Sequence, residues 1–328
     1  MKKTLFSIIS ILLFSFLISC GNKSNENANK IRVAYHPNVG GASAIITGIK
    51  QDYFKDEGLD IELVKFTSGP SEIAAMVSGD IQIGYIGFGA HTLAAEGKVQ
   101  IIATDGIAVV EGIRTLKTSG IDTVEKLIGK TLITQLGTSG ETIIDQVLVG
   151  TGVKKTDINI LNAEVSSAVA SFLANKVDAV SVWPPYTVEI DNRIGIENLN
   201  IIKPQDIGVD STASWIVTPS YLEANTDTVI KFTRALYKAM DYRKEHLDEA
   251  ITNVAELVGL DIATVSQEKY SSDWMDSQTM KTKINDGSIN DIYKKQIEYF
   301  VENNRLNSEP VAVDKYVRVD IIKKALEQ

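Results

Sequence analysis

Three segments of the sequence place small hydroxyl residues and glycine directly before a pattern typical of a helix. They are residues 68–72 (SGPSE), 137–141 (GTSGE) and 164–167 (EVSS). At a helix start, several backbone N–H groups lack an intrahelical acceptor and the helix dipole is positive, so such a segment can bind an anionic or strongly polar group. Plain helix capping explains any single segment, but three of them favour a shared binding role. The candidate ligand contacts in them are Ser68, Gly69, Thr138, Ser139 and Ser166.

Aromatic residues lie close to the same strand ends. Phe88 follows Gly87 after one apolar stretch, and Trp183 opens the segment WPPY after another. A Trp-Pro-Pro turn is rigid and exposes an amphipathic ring, which suits contact with a ligand. Trp215, in STASWIVTP, has an equal claim to be a core residue or a ligand contact. His36 follows the first predicted strand, and its position is compatible with a cleft.

Sequence motifs of several enzyme classes are incomplete. GKT at 129–131 has Val124 where a phosphate-binding loop needs its first glycine, and GFGAHT (87–92) lacks the third glycine of a dinucleotide loop. No Gly-x-Ser-x-Gly stretch occurs, and the three histidines, at 36, 91 and 246, have no metal-ligand spacing. We therefore expect no catalytic residues, no metal and no cofactor.

The elements that must position these residues alternate between strand and helix. Strand patterns occupy 31–36, 59–66 and 81–87, with helical patterns at 41–58 and 70–79 between them. Repeated βα units with short connections predict mainly parallel sheets covered by helices. A chain of 328 residues is too long for one compact core, so we expect two lobes of α/β class.

Two stretches of the chain resemble each other at an offset of 96 positions. Residues 66–87 and 162–183 both read as a loop with small hydroxyl residues, a helix, a turn and an apolar strand. If both lobes share this plan, the loops at the carboxyl ends of their strands line one cleft, because ligands of open α/β sheets bind there. Chance similarity between two βα units is the alternative.

The amino terminus has the layout of an export signal. Lys2 and Lys3 precede an apolar run at 5–18, which is shorter than a membrane-spanning helix needs. Leu-Ile-Ser-Cys at 17–20 resembles the bacterial lipobox, which predicts cleavage after residue 19 and a lipid on Cys20, the single cysteine. Residues 20–30 then form an Asn-rich, disordered tether. The protein is thus expected outside the cytoplasm, lipid-anchored to the membrane and facing the periplasm or cell exterior, and its formal net charge of −9 argues against nucleic acid as a partner.

Three longer segments resemble the solute-binding lipoproteins of ABC transporters in the nitrate, sulfonate and taurine group. They are residues 52–87, 121–142 and 173–186, and the resemblance extends over about 31–242. It implies a periplasmic binding protein type II fold, with two doubly wound α/β lobes joined by two crossover segments and a ligand cleft between them. The implied lobes are 31–116 plus 219–328, and 117–218, with crossovers near 106–115 and 211–218.

The resemblance also implies a function. The protein would capture an aliphatic sulfonate, taurine or nitrate, as a monomer, and deliver it to the permease and ATPase subunits of an importer. Sulfonate-type members hold the head group with loops that match 68–69, 87–89 and 138–139. Residues 35–38 (YHPN) are instead similar to relatives that bind thiamine pyrimidine precursors, which adds Asn38 to His36 as a candidate contact.

Two questions stay open at the level of sequence. The solute is an oxyanion in one interpretation and a pyrimidine or another heteroaromatic in the other. A ligand-sensing protein for chemotaxis would have the same fold as a transport protein. Two acids beside the predicted loops, Glu141 and Glu164, would repel an anion if their carboxylates pointed inward.

Overall fold

A computed structural model describes residues 30–109 and 111–327. The predicted signal peptide, Cys20 and the tether up to residue 29 lie outside the described residues. Lys30, which the sequence places in the tether, is the first residue of a strand. Within the described part of the chain, every helix is too short or too polar to cross a membrane.

The strands alternate with helices over most of the chain, as the sequence pattern predicts. The strands are β1 (Lys30–Tyr35), β2 (Asp60–Lys65), β3 (Ile83–Ile86), β4 (Gln100–Ala108), β5 (Ile113–Leu116), β6 (Thr131–Thr134), β7 (Asn159–Asn162), β8 (Ala179–Val180), β9 (Leu199–Ile202), β10 (Thr212–Val217) and β11 (Ser272–Trp274). The helices are α1 (Val39–Lys50), α2 (Tyr53–Asp56), α3 (Gly69–Val77), α4 (His91–Ala95), α5 (Ser139–Leu148), α6 (Val165–Leu173), α7 (Tyr186–Ile194), α8 (Pro219–Ala224), α9 (Thr226–Glu245), α10 (Leu247–Val258), α11 (Ile262–Ser266), α12 (Ser277–Asn285), α13 (Ser288–Glu302), α14 (Val313–Tyr316) and α15 (Val319–Leu326).

The helix predicted over 41–58 is interrupted. Asn38 caps α1 by accepting a hydrogen bond from the Gly41 amide at 2.6 Å, so the helix begins two residues earlier than predicted. It ends before Asp52, whose φ of 58° is left-handed, and the short α2 follows. A single left-handed residue cannot continue a right-handed helix, which is why one predicted helix becomes two.

Two sheets form the centres of the two lobes. The first has the order β11-β4-β10-β3-β1-β2 and the second the order β7-β6-β8-β5-β9. In the first, β1 pairs in parallel with β2 and β3, and β10 pairs antiparallel with β3. In the second, β6 pairs in parallel with β7 and β8, and β5 pairs antiparallel with β8. The two stretches that resemble each other in sequence thus occupy equivalent places, with β2-α3-β3 matching β7-α6-β8.

The lobe boundaries differ from those expected from the sequence. β5, placed in the first lobe by the sequence, pairs with β8 and β9 in the second sheet. β10, placed in the second lobe, pairs with β3 and β4 in the first sheet. The crossings therefore lie between β4 and β5 and between β9 and β10. β5 enters the second sheet antiparallel to β8, and β10 and β11 return to the first sheet antiparallel to β4. A sequence pattern can identify a strand but cannot show which sheet it joins, because its pairing partners are set by long-range contacts in the folded protein.

Candidate ligand-binding cleft

A cleft of about 940 Å³, counting the space open to solvent, lies between the two lobes. The loops that follow β1, β2, β3, β6 and β8 line it, together with both crossings and the segment leading into β11. β1 pairs in parallel with β2 and β3, and β6 with β8, so the carboxyl ends of these strands meet at the cleft, as the rule for open α/β sheets requires. The lining residues come from both lobes.

Three helix starts meet at one part of this cleft. Gly69 begins α3, Phe88 begins a 3₁₀ turn (Phe88–Ala90), and Ser139 begins α5. They are closely packed: a Cβ at Gly89 would come within 2.1 Å of the Thr138 carbonyl carbon, and one at Gly87 within 3.0 Å of Ser139 Oγ. The absence of a side chain at 87 and 89 thus lets the two lobes approach each other. Backbone N–H groups and hydroxyls concentrated in this way form a polar, donor-rich subsite.

Aromatic side chains line much of the remaining cleft. His36, Tyr85, Phe88, Trp183 and Trp274 all contribute to its surface. The Tyr85 ring meets His36 edge-on at 5.6 Å between centroids. Phe88 is backed by Tyr299 and Phe300, and Trp183 by Tyr186. Rings held by such contacts lose little entropy on binding and suit an apolar or aromatic part of a ligand.

His91 supports the Phe88 turn from below. It is buried, and its Nδ1 lies 3.1 Å from the Gly87 carbonyl oxygen while its Nε2 lies 3.0 Å from Ser214 Oγ. Burial lowers the pKa of His91 to about 4, so the ring is neutral at physiological pH. A neutral imidazole with both nitrogens engaged positions the turn and brings no charge to the cleft.

Carboxylates are present in or beside the cleft, whereas lysine and arginine are absent from its described lining. Glu111 and Glu268 line it directly. Glu72 lies behind His36, with Oε2 3.0 Å from His36 Nε2, and burial raises its pKa. Burial also raises the pKa of Glu268 to about 7, and the nearby charge of Glu111 acts in the same direction. The cleft therefore combines a donor-rich subsite with Glu268, a lining acid that burial holds toward the neutral form.

The two lobes touch through direct polar contacts. Asn38 Nδ2 donates to the Pro184 carbonyl oxygen at 2.8 Å, which joins the loop after β1 to the loop after β8. Arg305, beyond α13, pairs with Glu141 at 3.0 Å and with Asp145, both on α5. Although burial by itself would raise it, Arg305 holds the pKa of Glu141 below its ordinary value. The lobes are thus in direct contact at two places.

The structure brings most sequence-predicted site residues together. Those that line the cleft are His36, Asn38, Gly69, Gly87, Phe88, Thr138, Ser139 and Trp183. Glu141, which would repel an anion if it pointed inward, is turned away: its carboxylate accepts from the Gly137 amide and pairs with Lys155 and Arg305. Glu164 is exposed at the start of α6. Ligand contact by the eight lining residues stays a prediction.

Three of the predicted residues lie away from the lining. Trp215 is fully buried in β10, between β3 and β4, and its indole donates to Asp105 at 3.1 Å; it packs edge-on behind Tyr85, at 5.3 Å between ring centroids. Ser68 is buried with its hydroxyl 2.8 Å from that of Ser71. Ser166, the second residue of α6, is exposed and lies outside the cleft lining.

Several lining residues were missed by the sequence reasoning. Among them are Glu111, Gln146, Glu268 and Trp274. Tyr85, which comes two residues before Gly87 at the same strand end as Phe88, also lines the cleft. Glu268 and Trp274 come from the segment around α11 and β11, where the helical pattern gives no hint that the chain returns to the cleft.

Comparison with known proteins agrees with this architecture. A family model described as NMT1/THI5 like matches residues 41–250, well over half of the chain. The protein belongs to the NMT1/THI5-like family. The family prediction made from the sequence is confirmed at this level.

Relatives of this NMT1/THI5-like protein include several binding proteins. A Bacillus subtilis protein assigned to the binding of aliphatic sulfonates is 25% identical over 342 residues, covering 100% of this chain and 98% of that one. The taurine-binding periplasmic protein of Escherichia coli is 24% identical over 217 residues, covering 65% of this chain and 66% of that one. The alkanesulfonate-binding protein of Xanthomonas axonopodis pv. citri, solved bound to MOPS, superposes with a TM-score of 0.69 at 19% identity, covering 88% of this chain and 97% of that one. The fold-class prediction is confirmed by such neighbours.

Proposed function

We propose that this protein is the extracytoplasmic solute-binding component of an ABC importer. The single observation that carries the proposal is the cleft itself, which both lobes line and which places three helix starts beside aromatic walls. The names of the Bacillus and Escherichia relatives support the same class of function. The captured solute passes to a permease and its ATPase, and the protein acts as a monomer.

Capture works through lobe closure. A solute that contacts both lobes stabilises the state in which they touch, by the difference between its affinities for the closed and open states. Asn38 with Pro184, and Arg305 with α5, are contacts that exist only when the lobes meet. The closed state then presents a single surface, made from both lobes, to the permease.

The head group of the solute lies at the donor-rich subsite. Gly69, Phe88 and Ser139 offer backbone N–H groups there, and Ser139 also offers its hydroxyl, whereas the Thr138 hydroxyl already donates to the Gln135 carbonyl oxygen. Neutral donors of this kind solvate a sulfonate or another oxyanion without a lysine or arginine. An aliphatic sulfonate or taurine is therefore the first candidate solute, with nitrate as a smaller member of the same class.

A heteroaromatic solute is the second candidate, and the aromatic lining favours it. His36, Tyr85, Trp183 and Trp274 offer ring faces or edges to the cleft, far more apolar surface than a small inorganic anion could contact. A Saccharomyces cerevisiae relative, 27% identical over 206 residues, is a 4-amino-5-hydroxymethyl-2-methylpyrimidine phosphate synthase, which agrees with a pyrimidine. Catalysis is not part of either proposal.

Location follows from the amino terminus and the class of relatives. We propose that the mature protein begins at Cys20, which carries a lipid, and that the segment up to residue 29 tethers the folded part to the membrane. A two-chain lipid gives stable anchoring that a single acyl chain does not.

Mass spectrometry of the protein under native conditions tests the function directly. A small molecule retained through purification identifies the solute class without a prior choice of ligand. A thermal-shift panel of ethanesulfonate, taurine, nitrate and 4-aminopyrimidine then gives the specificity, because a ligand at a hundred times its Kd raises the free energy of unfolding by about 2.7 kcal/mol. A protein that retains no small molecule and responds to no member of the panel would contradict solute capture.

A further inference from the structure

Glu268 is the most deeply buried carboxylate that lines the cleft. It lies in the turn between α11 and β11 and is 3% exposed. Its Oε2 accepts a hydrogen bond from the Val39 amide at 2.8 Å, at the first residue of α1. Among the described residues, no hydrogen bond to its second oxygen is present. Glu268 is therefore held by one oxygen at a helix start and offers the other to the cleft.

Cations on the adjoining segments, Arg243 over Trp274 among them, are already paired with other acids. Lys269, the next residue, lies 2.5 Å from Asp248 on α10. Arg114 makes a double hydrogen bond to Asp191 and also reaches Glu111. No lysine or arginine of the described chain pairs with Glu268, in contrast to Glu111, whose charge Arg114 compensates at 3.1 Å.

A buried carboxylate without a cation is costly to keep. Transfer of an ionised group out of water disfavours its charged form unless a partner compensates it. The N–H of Val39 provides part of that compensation, yet burial dominates and the pKa of Glu268 rises to about 7. The missing partner is a positively charged or N–H donating group, and the open side of Glu268 is the ligand space.

We propose that Glu268 accepts a hydrogen bond from a nitrogen of the captured solute, and that it thereby selects solutes with an ammonium or amino group. The inference rests on solute capture and narrows its ligand class. The preferred solute has two polar features: a head group for the helix starts at Thr138 and Phe88, and a nitrogen donor for Glu268. A simple anion such as nitrate or an unsubstituted alkanesulfonate lacks the second feature and brings only negative charge toward Glu268 and Glu111.

Matched pairs of probes isolate the nitrogen. Taurine and ethanesulfonate share a sulfonate and differ by the amino group; 4-aminopyrimidine and pyrimidine share a ring and differ in the same way. Isothermal titration of the purified chain from residue 21 onward gives the affinity of each. A charge-assisted hydrogen bond corresponds to about 10- to 100-fold in Kd, so we expect the amino member of one pair to bind at least 10-fold more tightly.

Glu268→Gln is the informative variant. Glutamine retains an oxygen for the Val39 amide, so the start of α1 keeps its acceptor. We expect the preference for the amino member to fall below about 3-fold in this variant, mainly through weaker binding of that member. Glu223→Gln, an exposed change on α8, serves as the control and keeps the full preference. Far-UV circular dichroism confirms that each variant is folded.

Three results would overturn the proposal. They are equal or tighter binding of the probe that lacks nitrogen, a preference that persists in Glu268→Gln, and a preference that disappears in Glu111→Gln instead. If neither pair binds, the solute retained from a cell extract decides: a solute without an N–H donor, or one that Glu268→Gln retains equally well, also overturns it. Each of these results is compatible with solute capture. If neither the native protein nor Glu268→Gln retained a small molecule, that result would contradict the proposed function itself.

Discussion

Glu268 should also make the empty protein less stable as the pH rises. Burial raises its pKa in the folded protein from the ordinary 4.5 to about 7, so the folded state binds a proton more tightly than the unfolded chain. The stability that this proton provides is fully present below pH 4.5 and is lost as the pH rises through about 7. At 1.36 kcal/mol for each unit of pKa, the loss is about 3 kcal/mol.

Glu268→Gln removes this dependence because glutamine does not titrate. We expect the free energy of unfolding of the variant, relative to the native protein, to increase by about 2 to 3 kcal/mol between pH 4 and pH 8. Urea denaturation at half-unit pH steps measures the difference, and the titrations common to both proteins largely cancel. The charge of Glu111 adds to the raised pKa of Glu268, and this contribution is also absent from the variant.

Glu223→Gln is the matched control for this experiment, since it removes an exposed carboxylate. Its stability difference from the native protein should stay within about 0.5 kcal/mol over the same range. If the stability difference between Glu268→Gln and the native protein were also independent of pH, Glu268 would be ionised in the folded protein without a cost in free energy. That result would refute the reasoning that its burial is uncompensated in the absence of solute.

Three further predictions concern closure and anchoring. Arg305→Ala removes the ion pairs between the lobes and should weaken solute binding about 10- to 100-fold by titration calorimetry, whereas Lys155→Ala, within one lobe, should change it less than 3-fold. Gly89→Ala would place a methyl group against the Thr138 backbone. The affinity for the solute should therefore fall more than 10-fold, while the melting temperature of the ligand-free protein stays unchanged. An unaltered affinity would contradict this packing. Cys20→Ser should abolish labelling by radioactive palmitate, and equal labelling would exclude the anchor.

The sequence by itself determined the local structure and the class of architecture. The alternation of strand and helix patterns predicts two α/β lobes, and the internal similarity predicts equivalent units, which appear as β2-α3-β3 and β7-α6-β8. Helix starts were also readable: hydroxyls and glycine before an apolar run mark α5, where Thr138 accepts from the Gly140 amide. These features depend on residues close together in the chain, so their signal is local.

Only the tertiary structure decided which residues face the cleft. Trp215 and Trp183 both belong to apolar, strand-like stretches of sequence. Trp215 is buried between neighbouring strands, whereas Trp183 lines the cleft. Ser166 and Ser139 both lie in the first turn of a helix, but Ser139 lines the cleft and Ser166 is exposed outside it. Which residue of each pair faces the cleft depends on long-range packing of the elements that carry it.

Glu268 shows the same limit most clearly. In the sequence it is one of many acidic residues in a helical, polar segment. Its burial arises because the chain returns through β11 to pair with β4, more than 150 residues away along the chain, and closes the turn over the start of α1. Burial, and with it the raised pKa, comes from atoms that the sequence near Glu268 does not contain, so the chemistry of this side chain exists only in the folded protein.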